Sequence, residues 1–367
     1  MNDSVNCSCT ESLLESFSKF WLSDLLFPIV CSLGVFGNLV AILVLRCPEM
    51  KSTFHQSLLT LAVCDVLFLG ITLCDHFVDV SAPIYVLLFP YVWNPLKNIL
   101  MSWETFLIMS IATERFFAIC RPLCYRCHKL SHSSRVHLMT YVLPSILVSI
   151  ALNIPKFLET QFVTRNVTDA KNVTTLVTDY DVTDLRLDQD YIFYYTNWTR
   201  LLGTGVIPFV YLATMNITIC IQIKNRESFP EQPQTDQCSD ICIHRHSAQK
   251  TISNVDRNTS TSSQKHGVKK PKNSVLTLSI IVIMYLMCNT PRLSLNMAEN
   301  ILSDKLYEVD SCDCSLAPSW FFILIRISHL FLVINSSANF LIYFSVCKRF
   351  KTVFGIKVKN LITLVKC

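Results

Sequence analysis

Charge is scarce in this chain, at 16% of 367 residues. A soluble protein averages about a quarter. Together with a mean hydropathy of +0.39 and 51% hydrophobic residues, this excludes an ordinary water-soluble fold. Glycine is scarce too, with 7 residues. Strict alternation of apolar and polar residues is absent, which sets aside a membrane-spanning β-barrel. No internal repeat is present, which argues against a transporter built from repeated halves. The first twenty residues lack the basic start, apolar core and small-residue cleavage site of a removable signal. The first apolar run is therefore expected to act as its own insertion signal and stay in the protein. No enzyme motif stands in a setting where it would work.

What is present is a series of apolar runs, each long enough for the roughly 20 residues that cross a bilayer as a helix. They lie at about 21–45, 56–80, 95–119, 136–155, 200–223, 273–295 and 320–344. The expected fold class is all-α: a seven-helix membrane bundle over 21–345, in the plasma membrane, with 1–20 as an outer segment. The segments 1–24, 156–190 and 299–314 are net negative, and 46–54, 120–137, 224–272 and 348–367 are net positive. Basic loops stay cytoplasmic, so the N-terminus is expected outside. The glycosylation triplets headed by Asn2, Asn6, Asn166 and Asn172 fall on the same predicted outer side. Residues 227–268 are rich in Ser, Thr, Gln and charge and read as a disordered third cytoplasmic loop. The tail 346–367, "CKRFKTVFGIKVKNLITLVKC" from Cys347, mixes basic and apolar residues and suits a short amphipathic helix on the inner leaflet.

Two features of the runs are chemical. The third ends in Glu114-Arg115, an acid beside a base at the inner rim, where a charge can pair or reach headgroups. Deeper, Asp65 lies about 15 Å from the inner end of the second run at 1.5 Å per residue. Glu104, eleven residues before Arg115, lies at a similar depth. Two carboxylates at one level are expensive unless they share a proton or a cation. Asn335 and Asn339 of the last run are placed to complete an oxygen shell.

Motifs in six of the runs carry a resemblance. "GNLVAIL" with Asn38, "LAVCD" with Asp65, "ERFFAICRPL", "GVIPFVY" with Pro208, "CNTPRLSLN" with Asn289 and Pro291, and "NSSANFLIY" with Tyr343 resemble the marks of rhodopsin-family G protein-coupled receptors. "NIPKFLE", "LFPYVW", "CNTPRL" and "NSSANFLIY" resemble invertebrate FMRFamide-type peptide receptors. The fourth run lacks the family's usual tryptophan.

The resemblance implies that Glu114, Arg115 and Phe116 form the G protein-coupling motif, Phe116 replacing a common tyrosine. It implies a possible sodium ion, the sole expected cofactor, at Asp65, Glu104, Asn335 and Asn339. Pro208, Asn289, Pro291 and Tyr343 would be switch positions, and Asn216 stands where the family has a tyrosine eight residues after the helix 5 proline. Five turns before Arg115 stands Lys97, where amine receptors carry an aspartate, so an amine ligand is disfavoured. Val333 replaces the lysine of light receptors. Ligand candidates are Lys97, Glu299, Asp304 and His329. The expected partners are an extracellular peptide, a heterotrimeric G protein and the lipid bilayer, with no nucleic acid. A small-molecule or chemosensory receptor and a transporter remain as alternatives.

Seventeen cysteines are present. The family's bridge from helix 3 to the second outer loop has neither half: Pro90 stands at one position and 156–190 holds no cysteine. Cys7 and Cys9 are instead expected to pair with Cys312 and Cys314 in the oxidising exterior. The alternatives are that the pairs stay free or that Cys312 closes on Cys314. Cys124, Cys127, Cys238 and Cys242, with His244 and His246, have only a faint metal spacing, and no structural metal is expected.

Overall fold

The structure, a computed structural model, describes residues 13–78, 82–125, 134–168, 174–228, 272–306 and 319–366. Its helices are α1 (Leu13–Leu45), α2 (Thr53–Phe77), α3 (Asn94–Cys120), α4 (Ser134–Asn153), α5 (Ile207–Ser228), α6 (Lys272–Leu306), α7 (Ser319–Val346) and α8 (Lys348–Lys366). Six of the first seven are long and apolar enough to cross a membrane. The expectation that all seven runs qualify needs correcting for α3. That helix carries Lys97, Glu104, Glu114 and Arg115, and it tolerates them because it packs against α2, α4, α5 and α6 rather than lipid.

Within a bilayer, lipid tails are as apolar as leucine, so close packing and polar links hold helices together. The α1–α7 contact shows both. A Cβ on Gly34 would lie 2.1 Å from Ser337 Oγ and 2.7 Å from the Leu69 side chain, so only glycine admits this approach. Next to it, Asn38 Nδ2 donates to Ser336 O of α7 at 2.9 Å, and Ser337 Oγ donates to Val30 O of α1 at 3.1 Å. Leu61, Leu69, Leu107, Ile111, Leu212 and Leu278 fill the centre, all buried.

Prolines shape α5 and α6. Pro208 has no N–H and its ring opposes the carbonyl four residues back. The stretch before it, Leu201–Val206, is wound as π-helix, as is Ile192–Thr199. Pro291 lies inside α6, where Asn289 Nδ2 donates to Tyr285 O at 2.9 Å and Thr290 Oγ1 to Leu286 O at 2.7 Å.

Three boundaries differ from expectation. Helix α1 starts within the segment 1–20: Arg326 of α7 reaches Ser18 Oγ at 2.9 Å and the Glu15 carboxylate at 3.5 Å, tying the first turns to the bundle. Helix α6 continues about three turns past residue 295. The segment 156–190, read as a loop, contains an antiparallel hairpin, β1 (Thr160–Thr168) and β2 (Thr174–Val182), with Thr160 opposite Val182 and Thr168 opposite Thr174.

The hairpin stands over the Pro83–Trp93 segment that leads into α3. The Phe89 and Tyr180 rings lie 4.4 Å apart. At its base, buried Glu159 receives Lys156 Nζ at 2.6 and 2.7 Å and Tyr191 Oη at 2.8 Å. Pro90 is buried in this segment. Ring packing therefore joins the hairpin to the segment that leads into α3.

After α7, α8 runs its full 19 residues. Phe350 and Val353 are buried against the bundle while Ile356, Val358 and Ile362 are exposed between lysines, the amphipathic pattern expected. Cys7, Cys9, Cys312, Cys314, Asn2, Asn6, Asn172 and nearly all of 227–268 lie outside the described residues, as do the side chains of Asn166, Glu299 and Asp304.

Candidate functional site

Helix α3 threads three polar clusters through the bundle. At one end, Arg115 lays its guanidinium along Glu114, with Nε on Oε2 at 2.5 Å and Nη2 on Oε1. Glu114 is fully buried and the Arg115 side chain is 13% exposed, so water competes little for the pair. Tyr125 Oη also donates to Glu114 Oε1, at 2.5 Å. Burial, and then the Glu114 carboxylate, raise the Tyr125 phenol above its ordinary range and keep it a donor. The ring of Phe54, on α2, lies 4.7 Å from the Arg115 guanidinium carbon. Phe116 is half-buried against the core. The sequence reading found Glu114 and Arg115 and missed Phe54 and Tyr125, which only the fold brings near.

The middle cluster joins α2, α3 and α7. Asn339 Nδ2 donates to Asp65 Oδ2 at 2.7 Å. Asn335 Nδ2 donates to Glu104 Oε1 at 2.5 Å, and Ser336 Oγ to Glu104 Oε2 at 3.0 Å. All five side chains are buried. The two acids and two asparagines expected together do gather here, but in two pairs. The asparagines turn N–H groups toward the carboxylates, not the oxygens a cation shell requires, because an amide beside a carboxylate binds as donor. Ser336 is the member that was missed. Asp65 Oδ1, Asn38 Oδ1 and the Tyr343 hydroxyl find no partner among the described residues. Asp65 Oδ1 is thus the carboxylate oxygen of this cluster left open as an acceptor.

At the other end a cavity of about 310 Å³ opens, lined by Asp75, Trp93, Lys97, Asn98, Met101 and His329 among others. Lys97 Nζ bonds Asp75 Oδ2 at 2.6 Å, and Tyr85 Oη bonds Asp75 Oδ1 at 2.7 Å. Lys97 is thus not a free cation, and the charge argument against amines has to allow for Asp75. That partner lies 22 residues earlier and is invisible to helical spacing. Val333, fully packed, lines the cavity where a Schiff-base lysine would be needed. Lys97 and His329 meet in one cavity, while Glu299 and Asp304 stand on the last turns of α6.

Between these clusters, Tyr285 Oη of α6 bonds Thr105 Oγ1 of α3 at 3.2 Å. Tyr211 Oη of α5 meets Thr113 Oγ1 at 2.7 Å. Asn216 Oδ1 accepts from Ser279 Oγ of α6 at 2.8 Å. Tyr211, three residues after buried Pro208, supplies a hydroxyl link between α5 and α3, although Asn216 has replaced the tyrosine further along.

The sequence profile of the seven-transmembrane receptors of the rhodopsin family matches residues 37–343. The FMRFamide receptor of Drosophila melanogaster is 26% identical over 347 residues, covering 92% of this chain and 53% of the relative. This chain thus spans about half the length of that receptor. An FMRFamide peptide receptor of Caenorhabditis elegans is 22% identical over 350 residues, 90% of this chain and 68% of the relative. A cholecystokinin receptor of Xenopus laevis is 31% identical over 154 residues, 39% of this chain and 34% of the relative.

Proposed function

Because the chain belongs to the rhodopsin family of seven-transmembrane receptors, signalling proteins rather than enzymes, we propose that it is a multi-pass plasma-membrane receptor for an extracellular peptide, amidated and basic, acting through a heterotrimeric G protein. The observation that carries this reading is that one helix, α3, holds all three clusters: Lys97 at the cavity, Glu104 at the core and Glu114-Arg115 at the far end. A peptide that binds one arrangement of the bundle more tightly shifts its population. The shift reaches Arg115 through a helix already linked to α2, α5, α6 and α7. The FMRFamide receptors of fly and nematode, similar along about nine-tenths of this chain, support a peptide of that class. Acidic residues at the end of α6 and beyond favour a basic one by raising its local concentration. In this reading the cavity faces outward and Arg115 faces the cytoplasm, as loop charge indicates.

The test is a panel of amidated peptides applied to cells carrying the chain, read by calcium and cyclic AMP. A response to a basic amidated peptide at nanomolar to micromolar dose is expected. Silence to the whole panel, with surface receptor present, contradicts the proposal.

A further inference from the structure

The basic side chains of the bundle are unevenly paired. Lys97 has Asp75, Lys156 has Glu159, and Arg115 has Glu114. Arg292 and Arg200 have no carboxylate partner among the described residues. Arg292 follows Pro291 in α6, and its Nη1 rests on Met101 Sδ at 2.9 Å. Arg200 stands between the two π-wound stretches before α5, and its Nη2 donates to Asn98 Oδ1 at 2.9 Å. A thioether and an amide are neutral acceptors, and the thioether is a weak one. Each guanidinium has five N–H donors in a fixed fork, and one acceptor among the described residues. The nearby acids are engaged: Asp75 with Lys97 and Tyr85, Glu104 with Asn335 and Ser336, Glu159 with Lys156 and Tyr191.

Asn98 and Met101 are three residues apart on α3, so they lie on one face with about 5–6 Å between their Cβ atoms. The two guanidiniums reach that face from the π-wound segment before α5 and from α6. Both Asn98 and Met101 also line the 310 Å³ cavity, and Arg292 lines a cleft on the α5–α6 side with Thr204, Tyr285 and Asn289. Two uncompensated cations at membrane depth are costly and mark a ligand path. A single anion between them would relieve both and take charge-assisted, bidentate bonds.

We propose that Arg200 and Arg292 form a subsite for one anionic group of the ligand, a carboxylate or a sulfate ester, on the α3 face that carries Asn98 and Met101, beside the cavity. The inference rests on the peptide-receptor reading and sharpens it: the agonist is bipolar, its basic end toward the acidic rim and its acidic side chain toward α3.

The experiment uses the full chain, purified in lipid nanodiscs, and its melting temperature with three probes: N-acetyl-Asp-Phe-amide, N-acetyl-O-sulfotyrosine amide and the neutral N-acetyl-Asn-Phe-amide. An acidic probe near ten times its dissociation constant is expected to raise the melting temperature by about 2 °C or more, and the neutral probe to leave it unchanged. The larger of the two acidic responses names the group as carboxylate or sulfate ester. Arg292→Met and, separately, Arg200→Gln are expected to abolish the rise, and Arg292→Lys to retain part of it. Arg292→Met is also expected to leave the melting temperature without probe unchanged or raised, since it removes an uncompensated cation. Equal responses to acidic and neutral probes, or an acidic response undiminished in both variants, overturns the proposal. Peptide activation intact beside acid-indifferent melting refutes this subsite alone, while acid-dependent melting without any activating peptide refutes the peptide reading alone.

Discussion

Replacing Glu114 by glutamine keeps the shape of the Arg115 partner and removes its charge. Two guanidinium N–H groups end on that carboxylate, which is fully buried, with Arg115 13% exposed. A hydrogen bond to a charged group contributes about 1.5–3 kcal/mol, a neutral one about 0.5–1.5. The amide keeps one acceptor oxygen, so one bond becomes neutral and the other is lost, and the loss is at least about 2 kcal/mol. The Phe54 ring, 4.7 Å from the guanidinium, is untouched and retains its share. A loss of about 2 kcal/mol from the paired state is about a 30-fold change in an equilibrium constant. A receptor released about 1% of the time would then be released about a quarter of the time. The assay is agonist-independent nucleotide exchange in membranes, normalised to surface receptor. A rise of tenfold or more is expected for Glu114→Gln, and a smaller one for Tyr125→Phe. Basal exchange equal to wild type in Glu114→Gln refutes the idea that this pair holds the resting state.

Other predictions follow from the same contacts. Asp65→Asn should erase any loss of agonist affinity on raising sodium against an impermeant control salt, because Asp65 Oδ1 is the free acceptor of the core cluster; an unchanged sodium effect places the cation elsewhere. Gly34→Val should lower the melting temperature and surface expression, since overpacking costs about 1–3 kcal/mol and Ser337 Oγ already occupies the Cβ position at 2.1 Å; wild-type stability would refute the close α1–α7 approach. Neutralising Glu299 and Asp304 together should cost an arginine-containing agonist more potency than its citrulline analogue, and equal losses rule out charge pairing there.

The helices were legible because crossing a bilayer demands about 20 apolar residues and leaves little else a run can be. The exception, α3, was also legible, since Glu114 and Arg115 mark its end. The hairpin was passed over although "TQFVTRNVT" and "TTLVTDYDV" are rich in Val and Thr, the residues that suit a pleated surface. The early start of α1 was hidden because its anchor, Arg326, lies more than three hundred residues away in the chain. Site residues divide the same way. Asp65 and Glu104 stand out as acids inside apolar runs. Their donors Asn339 and Asn335 follow from helical spacing, but Ser336, beside Asn335, could be separated from an ordinary helix serine only by its contact with Glu104. Asp75 escaped because its role depends on Lys97 reaching across from α3. Arg200 and Arg292 carried a visible signal, cations inside apolar runs, that only the absence of acidic partners among the described residues turns into an argument.

The most direct test of the central account is nucleotide exchange by a purified heterotrimeric G protein on vesicles holding the full chain, started by adding a basic amidated peptide. The account predicts a peptide-dependent rise that Arg115→Ala abolishes while peptide binding persists. Peptide binding with no exchange in the wild-type chain, or exchange undiminished in Arg115→Ala, contradicts it.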